Sequence, residues 1–208
     1  MNEVISCIIF DVMNAKWTRV IVAPGYVSLA LAFQAIASEY LVDPKGSYVE
    51  VAVKATGHDF VAKLEKFKSN ISVEKESGRP TAGEFTWDFS DLKTGKEDRD
   101  KEMLQWLDHK QNPNGTFTLV KCEEATGGMV LTGDLDIHGT SRRISIPVHL
   151  SRQNSGLSFD GDVTMDHRDF GLKKIVKFAF LKVDPVLKVR FRLVGTVQEV
   201  GLKARSER

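Results

Sequence analysis

A two-residue hydrophobic period recurs along most of this chain, and it constrains the fold more than any other feature. Successive side chains of a strand point to opposite faces, so an apolar residue at every second position marks a strand with one buried face. Ser47, Val49, Val51 and Val53 share one face, opposite Tyr48, Glu50, Ala52 and Lys54. Phe85, Trp87 and Phe89 alternate with Glu84, Thr86 and Asp88. The same rhythm runs through Met129, Leu131, Gly133, Leu135 and Ile137, through Ile144, Ile146, Val148 and Leu150, and through Leu157, Phe159, Gly161, Val163 and Met165. It ends with Leu187, Val189, Phe191 and Leu193 against Lys188, Arg190 and Arg192. Shorter candidates are Phe67 to Val73 and Phe117 to Cys122, and Gly127-Gly128, His138-Gly139-Thr140 and Asn154-Ser155-Gly156 supply turns between runs. About eight strands with short connections predict a mainly β, antiparallel sandwich or barrel.

One segment has another period. Residues 97–108 (EDRDKEMLQWLD) carry Met103, Leu104 and Leu107 at helical spacing and acidic residues in the first turn, which predicts one amphipathic helix in a long crossover. An eight-stranded barrel removes the unpaired sheet edges, and its interior either fills with side chains or holds one small ligand. Gly133 and Gly161 fall in mid-strand, where a glycine marks a bend or a place of close approach to the backbone. The pattern alone leaves both a solid and an open interior standing.

Charge and cysteine content narrow the function classes. Lys plus Arg is 29 and Asp plus Glu is 28, a balance that speaks against a dedicated nucleic-acid binder. Cys7 and Cys122 cannot form a disulfide framework, and no cysteine–histidine cluster has zinc-ligand spacing. The stretch Val20 to Ala37 (VIVAPGYVSLALAFQAIA) is uncharged, follows Lys16 and Arg19, and is interrupted by Pro24 and Gly25. It reads as a secretory signal peptide over residues 1–37, with small Ala35 and Ala37 placing cleavage after Ala37; the alternative is an ordinary N-terminal core helix. A start at Met13 would shorten the basic region to MNAKWTR. The expected organisation is therefore a signal peptide, a barrel domain over residues 38–200 and a polar tail over residues 201–208, located in the periplasm or secreted.

Five histidines are candidates for chemistry: His58, His109, His138, His149 and His167. His58-Asp59 and Asp166-His167-Arg168-Asp169 each follow a strand, so an acid/base or metal-dependent hydrolytic site on His58 and His167 is one reading. No HxxxH or HxH spacing and no GxSxG turn supports it. His149 lies on the polar side of its strand and His138 in a turn. Lys173, Lys174 and Lys177 stand beside Phe178 and Phe180, a basic loop that either rims a cavity near a membrane surface or is simply solvated.

The order of short motifs from Tyr40 to Val197 resembles the YceI family, the lipid- and polyisoprenoid-binding-like domain of exported bacterial proteins. The resemblance rests on Tyr40-Leu41-Val42-Asp43-Pro44 with the strand after it, on His58-Asp59-Phe60, and on Asp91 to Gly95 with Arg99-Asp100 and Met103-Leu104. It continues with Pro113 to Phe117, Gly133 to Thr140, and Arg168-Asp169-Phe170-Gly171-Leu172. The chain departs from the family pattern at Val61-Ala62-Lys63 and at Leu181-Lys182-Val183-Asp184-Pro185.

The resemblance implies a lipocalin-like eight-stranded antiparallel barrel that binds, transports or stores a polyisoprenoid, an isoprenoid quinone or a fatty amide without catalysis. No metal and no cofactor other than such a lipid is expected. Expected partners are the apolar lipid and a membrane surface, not nucleic acid, with the chain a monomer or homodimer. A barrel without a ligand, serving as a structural or stress-response module, is the remaining alternative. The expected tunnel is lined by Val51, Val53, Phe85, Trp87, Phe89, Leu131, Leu135, Ile146, Phe159, Gly161 and Val163. Its mouth is expected near His58 and the segment carrying Arg168, Phe170, Phe178 and Phe180.

Overall fold

The computed structural model describes residues 38–153, 156–173, 176–177 and 181–199. The expected signal peptide and polar tail lie outside the described residues, as do Phe178 and Phe180. The strands are β1 (Ser38–Val42), β2 (Tyr48–Ala55), β3 (Phe60–Leu64), β4 (Lys68–Val73), β5 (Pro80–Asp88), β6 (Leu92–Lys93), β7 (Asn114–Ala125), β8 (Gly128–Ile137), β9 (Thr140–Gln153), β10 (Gly156–Asp166), β11 (Val176–Lys177) and β12 (Leu181–Glu199). The helix α1 spans Glu97–Trp106, and short 3-10 turns cover Phe89–Asp91 and His167–Phe170.

Strands β1, β4, β5, β7, β8, β9, β10 and β12 follow one another around a closed antiparallel barrel, sealed by the pairing of β1 with β12. The long β12 makes this possible: Gly195 to Glu199 pair with β1, while the segment from Val183 to Arg192 pairs with β2. Strands β1 and β2 thus share one side of β12, separated by a turn in which the Asp43 carboxylate accepts from the Lys45 amide at 3.0 Å and the Ser47 hydroxyl donates to the Asp43 carbonyl at 2.7 Å. β2 continues into β3 and β6, which flank the crossover that carries α1. The register shift between Val183 and Leu187 brackets Pro185, which has no amide proton for the ladder.

Tyr40 organises one packed region. It is 1% exposed, its hydroxyl is shared between the carbonyl oxygens of Leu157 (3.0 Å) and Leu193 (2.9 Å), and its ring meets Phe159 edge to face at 5.0 Å. Val73, Met129, Ile146, Val148, Leu157, Phe159 and Leu193 complete this cluster. A second cluster gathers Phe89, Leu107, Leu135, Phe170 and Leu172, with Met103, Leu104 and Trp106 of α1 packed against it. The outer face is polar, with cross-strand ion pairs of Arg192 with Asp160, Lys188 with Asp162, and Arg143 with Asp134.

One expectation about the walls requires correction. Gly161 is not an opening onto the interior: a side chain there would meet the ring of Phe191, its partner on β12, at 2.6 Å and the Pro147 carbonyl at 3.0 Å. A side chain on Gly133 would strike the ring of Phe117 and the Thr118 carbonyl, the latter at 2.6 Å. Each glycine is the floor on which a neighbouring aromatic ring lies, and its lack of a Cβ is what lets the ring fold flat against the sheet.

Candidate functional site

The barrel encloses a cavity of about 1070 Å³, at the upper end of the size usual for small-molecule pockets. Its wall is made by the inward residues of the alternating runs, because closing the sheet turns one face of every strand toward a common interior. Val51, Val53, Phe85, Trp87, Phe89, Leu131, Leu135, Ile146, Phe159, Val163 and Phe170 all line it, as does His58. Gly161 and Arg168 are not among the lining residues. Arg168 is exposed and holds Asp166 through its own side chain, with Nε 2.9 Å from Oδ1. That guanidinium keeps the Asp166 carboxyl down to about 2.

The polar boundary of the cavity is uneven. Thr56 and His58 come from the turn between β2 and β3, and Thr94, Lys96, Glu97, Asp98, Arg99 and Glu102 from the start of the helical crossover. Most of these are exposed, so among the described residues the cavity opens between that turn and the first turns of α1. The helix begins without a side-chain cap at Lys96; instead the Asp100 carboxylate reaches back to the Thr94 amide at 2.8 Å and the Thr94 hydroxyl at 2.5 Å. Arg99 donates to the Thr94 carbonyl at 2.8 Å and lies 4.0 Å over the Phe60 ring. Further along, Met103, Trp106 and Leu107 project into the cavity, which explains the helical stripe in the sequence.

The short turn after β10 places the remaining polar group. The Asp166 carboxylate accepts from the Arg168 amide at 2.9 Å, and Gly171 closes the turn at φ 73°, a left-handed conformation that suits glycine. His167 and Phe170 are thereby driven inward and buried, while the Arg142 guanidinium ties down the Asp169 carbonyl at 2.8 Å. Burial lowers the basicity of His167, partly opposed by the neighbouring Asp166 carboxylate. The Leu172 backbone approaches the ring, yet neither ring nitrogen makes a hydrogen bond of normal geometry among the described residues.

The hydrolytic arrangement read from the sequence is only half assembled. His58 and His167 do border one cavity, but Asp59 and Asp169 do not. Asp59 instead accepts from the Ala55 amide at 3.2 Å. No group of three or more His, Cys, Asp and Glu among the described residues is placed to hold a metal ion. Two of the other histidines have local roles: His109 contacts the Asp88 carboxylate at 2.7 Å, and His149 is exposed with Nδ1 3.1 Å from the Gly127 carbonyl oxygen.

Sequence reasoning missed the rim supplied by α1 and the parts of the wall from β3, β4, β7 and the start of β12, including Ala62, Leu64, Ile71, Leu119 and Val183. Alternation in those short runs was the available signal for the strands. The helical stripe of Met103 and Leu107 was the signal for the rim.

The geometry agrees with the comparisons. The solved structure of Burkholderia cenocepacia BcnA superposes with a TM-score of 0.67 at 21% identity, covering 75% of this chain and all of that one. A polyisoprenoid binding domain from Saccharophagus degradans, implicated in plant cell wall breakdown, gives 0.58 at 14% identity, over 78% of this chain and 99% of its own. A UPF0312 protein of Pseudomonas aeruginosa is 23% identical over 173 residues, 78% of this chain and 91% of its own length. The profile of the YceI-like domain matches residues 40–195, and this chain is therefore a member of the YceI-like domain family.

Proposed function

We propose that this protein binds a long apolar lipid, a polyisoprenoid, an isoprenoid quinone or a fatty amide, and carries or stores it in the cell envelope without chemically altering it. The observation that carries this reading is the cavity of about 1070 Å³, walled by aliphatic and aromatic side chains inside a closed barrel. A barrel packed solid, the ligand-free alternative, has no such space. An apolar chain entering it gains roughly 0.8 kcal/mol for each methylene removed from water. A chain of fifteen or more carbons therefore gains a gross ~12 kcal/mol, comparable with the cost of immobilising a ligand, so only long chains bind well. Membership of a family with a polyisoprenoid-binding structural neighbour supports the same class of ligand.

Export belongs to this proposal, with residues 1–37 removed and the mature chain in the periplasm or outside the cell. The basic loop about Lys173 would then face a membrane surface from which the lipid is collected. Solvent extraction of the freshly purified protein, followed by mass spectrometry, is the direct test. An isoprenoid or fatty lipid at close to one equivalent is the expected result. Extracts without lipid, together with no uptake of isoprenoids or fatty derivatives, would remove the proposal.

A further inference from the structure

One group on the cavity boundary is not accounted for by packing an apolar chain. His167 is 2% exposed, and although the Leu172 backbone approaches its ring, neither ring nitrogen makes a hydrogen bond of normal geometry among the described residues. Buried side-chain polar atoms are rarely left so, because each unsatisfied group costs about 1–3 kcal/mol. Its ring meets the edge of Trp106, with centroids 5.0 Å apart and planes at 88°, a contact that a phenylalanine would make equally well. No hydrogen bond of normal geometry among the described residues thus calls for an imidazole at this position, and the imidazole borders the cavity.

We propose that His167 is the polar anchor of the cavity and takes an uncharged hydrogen-bonding head group, a hydroxyl, carbonyl or carboxamide, at the end of the bound apolar chain. This rests on the lipid-binding reading above and names the chemistry of the head group. A neutral imidazole offers one N–H donor and one acceptor nitrogen, the pair that an alcohol or amide complements. Burial, by disfavouring the imidazolium, keeps the ring in that neutral form. Among the described residues, Arg168 beside it in sequence is exposed and already bound to Asp166. The described cations that border the cavity, Lys96 and Arg99, belong to the opposite end of α1 from Trp106, roughly 10–15 Å away along the helix axis. Trp106 closes the other side of the ring, and its indole donates to the Lys173 carbonyl at 2.8 Å.

The test compares phytol, its hydrocarbon phytane and phytyl phosphate, each titrated into delipidated full-length protein and into the His167→Phe and His167→Gln variants. In the unaltered protein, phytol should bind about tenfold more tightly than phytane, the worth of one buried hydrogen bond. His167→Phe should abolish that preference of phytol over phytane, and His167→Gln should restore part of it. Oleamide against cis-9-octadecene repeats the comparison for an amide source. Because a substituted histidine can disturb folding, the ring nitrogen NMR signals of His167 in the unaltered protein provide a second reading: phytol should shift them and phytane should not. A preference that survives His167→Phe, nitrogen signals unmoved by bound phytol, or tighter binding of phytyl phosphate than of phytol each overturns the assignment of the head group alone. Failure of every chain, phytane included, to bind the unaltered protein overturns the lipid-binding reading and the anchor with it.

Discussion

Gly161 and Val163 lie two residues apart on the same face of β10, and the structure assigns them opposite responses to enlargement. Val163 lines the cavity and pairs with Val189, which lines it too, so a larger side chain at 163 extends into open space. Val163→Phe adds about four carbons there and should leave unfolding free energy within about 1 kcal/mol of the parent, because no packed group has to move. It should also displace about four carbons of any bound chain, or ~3 kcal/mol, which is about two orders of magnitude in affinity. Gly161→Phe has no such room: the Phe191 ring already lies 2.6 Å from where the first side-chain atom would go, and the Pro147 carbonyl closes the other side at 3.0 Å. Overpacking against a ring and a backbone oxygen should cost about 3 kcal/mol or more. Urea unfolding measures the first quantity, and displacement of a fluorescent fatty probe the second. Equal loss of stability in both variants would refute the distinction between an open and a filled wall. So would undiminished lipid binding by Val163→Phe.

Three further outcomes are expected. Tyr40→Phe should cost about 1–3 kcal/mol in urea unfolding, because it leaves two buried carbonyls without their shared donor; a loss under about 0.5 kcal/mol would contradict the role given to that hydroxyl. Burial first, and the Asp160 carboxylate second, raise the Tyr40 phenol above its ordinary value of 10.0. The folded state therefore holds its proton while the unfolded chain releases it, so stability present below pH 10 falls by up to ~1.4 kcal/mol per pH unit above it, and Tyr40→Phe should lack this alkaline loss. Trp87→Ala should cost about 3 kcal/mol by thermal or chemical unfolding, at the lower end for a buried tryptophan, because the ring packs over Gly115 and against Phe89 at 5.9 Å but borders the cavity on another side; less than about 1 kcal/mol would mean that the ring does not face inward. N-terminal sequencing of the mature protein from its native host should begin at Ser38 or within a few residues, and a full-length cytoplasmic product would contradict export.

Alternation alone was enough to assign Val51, Val53, Phe85, Trp87, Leu131, Leu135, Phe159 and Val163 to one shared interior, and all of them line the cavity. That reading works because the side-chain period of a strand is set by local backbone geometry and survives whatever the strand pairs with. Closure was not legible in the same way. It depends on Ser38 meeting Glu199 and on β12 serving β1 and β2 in turn, contacts between distant segments that leave no periodic mark. The glycines show the same boundary from another side. Their mid-strand positions are plain in the sequence, but whether the space above them is empty was decided by Phe191 and Phe117 reaching across from neighbouring strands. His167 is the sharpest case. Its sequence neighbours, Asp166, Arg168 and Asp169, suggested an acid/base or metal-dependent site, and only the capped turn within the closed barrel drove the imidazole inward beside Trp106. The strand pattern is local chemistry repeated along the chain; the cavity, its filled and open walls and its one buried imidazole arise when strands remote in sequence are brought around a common axis.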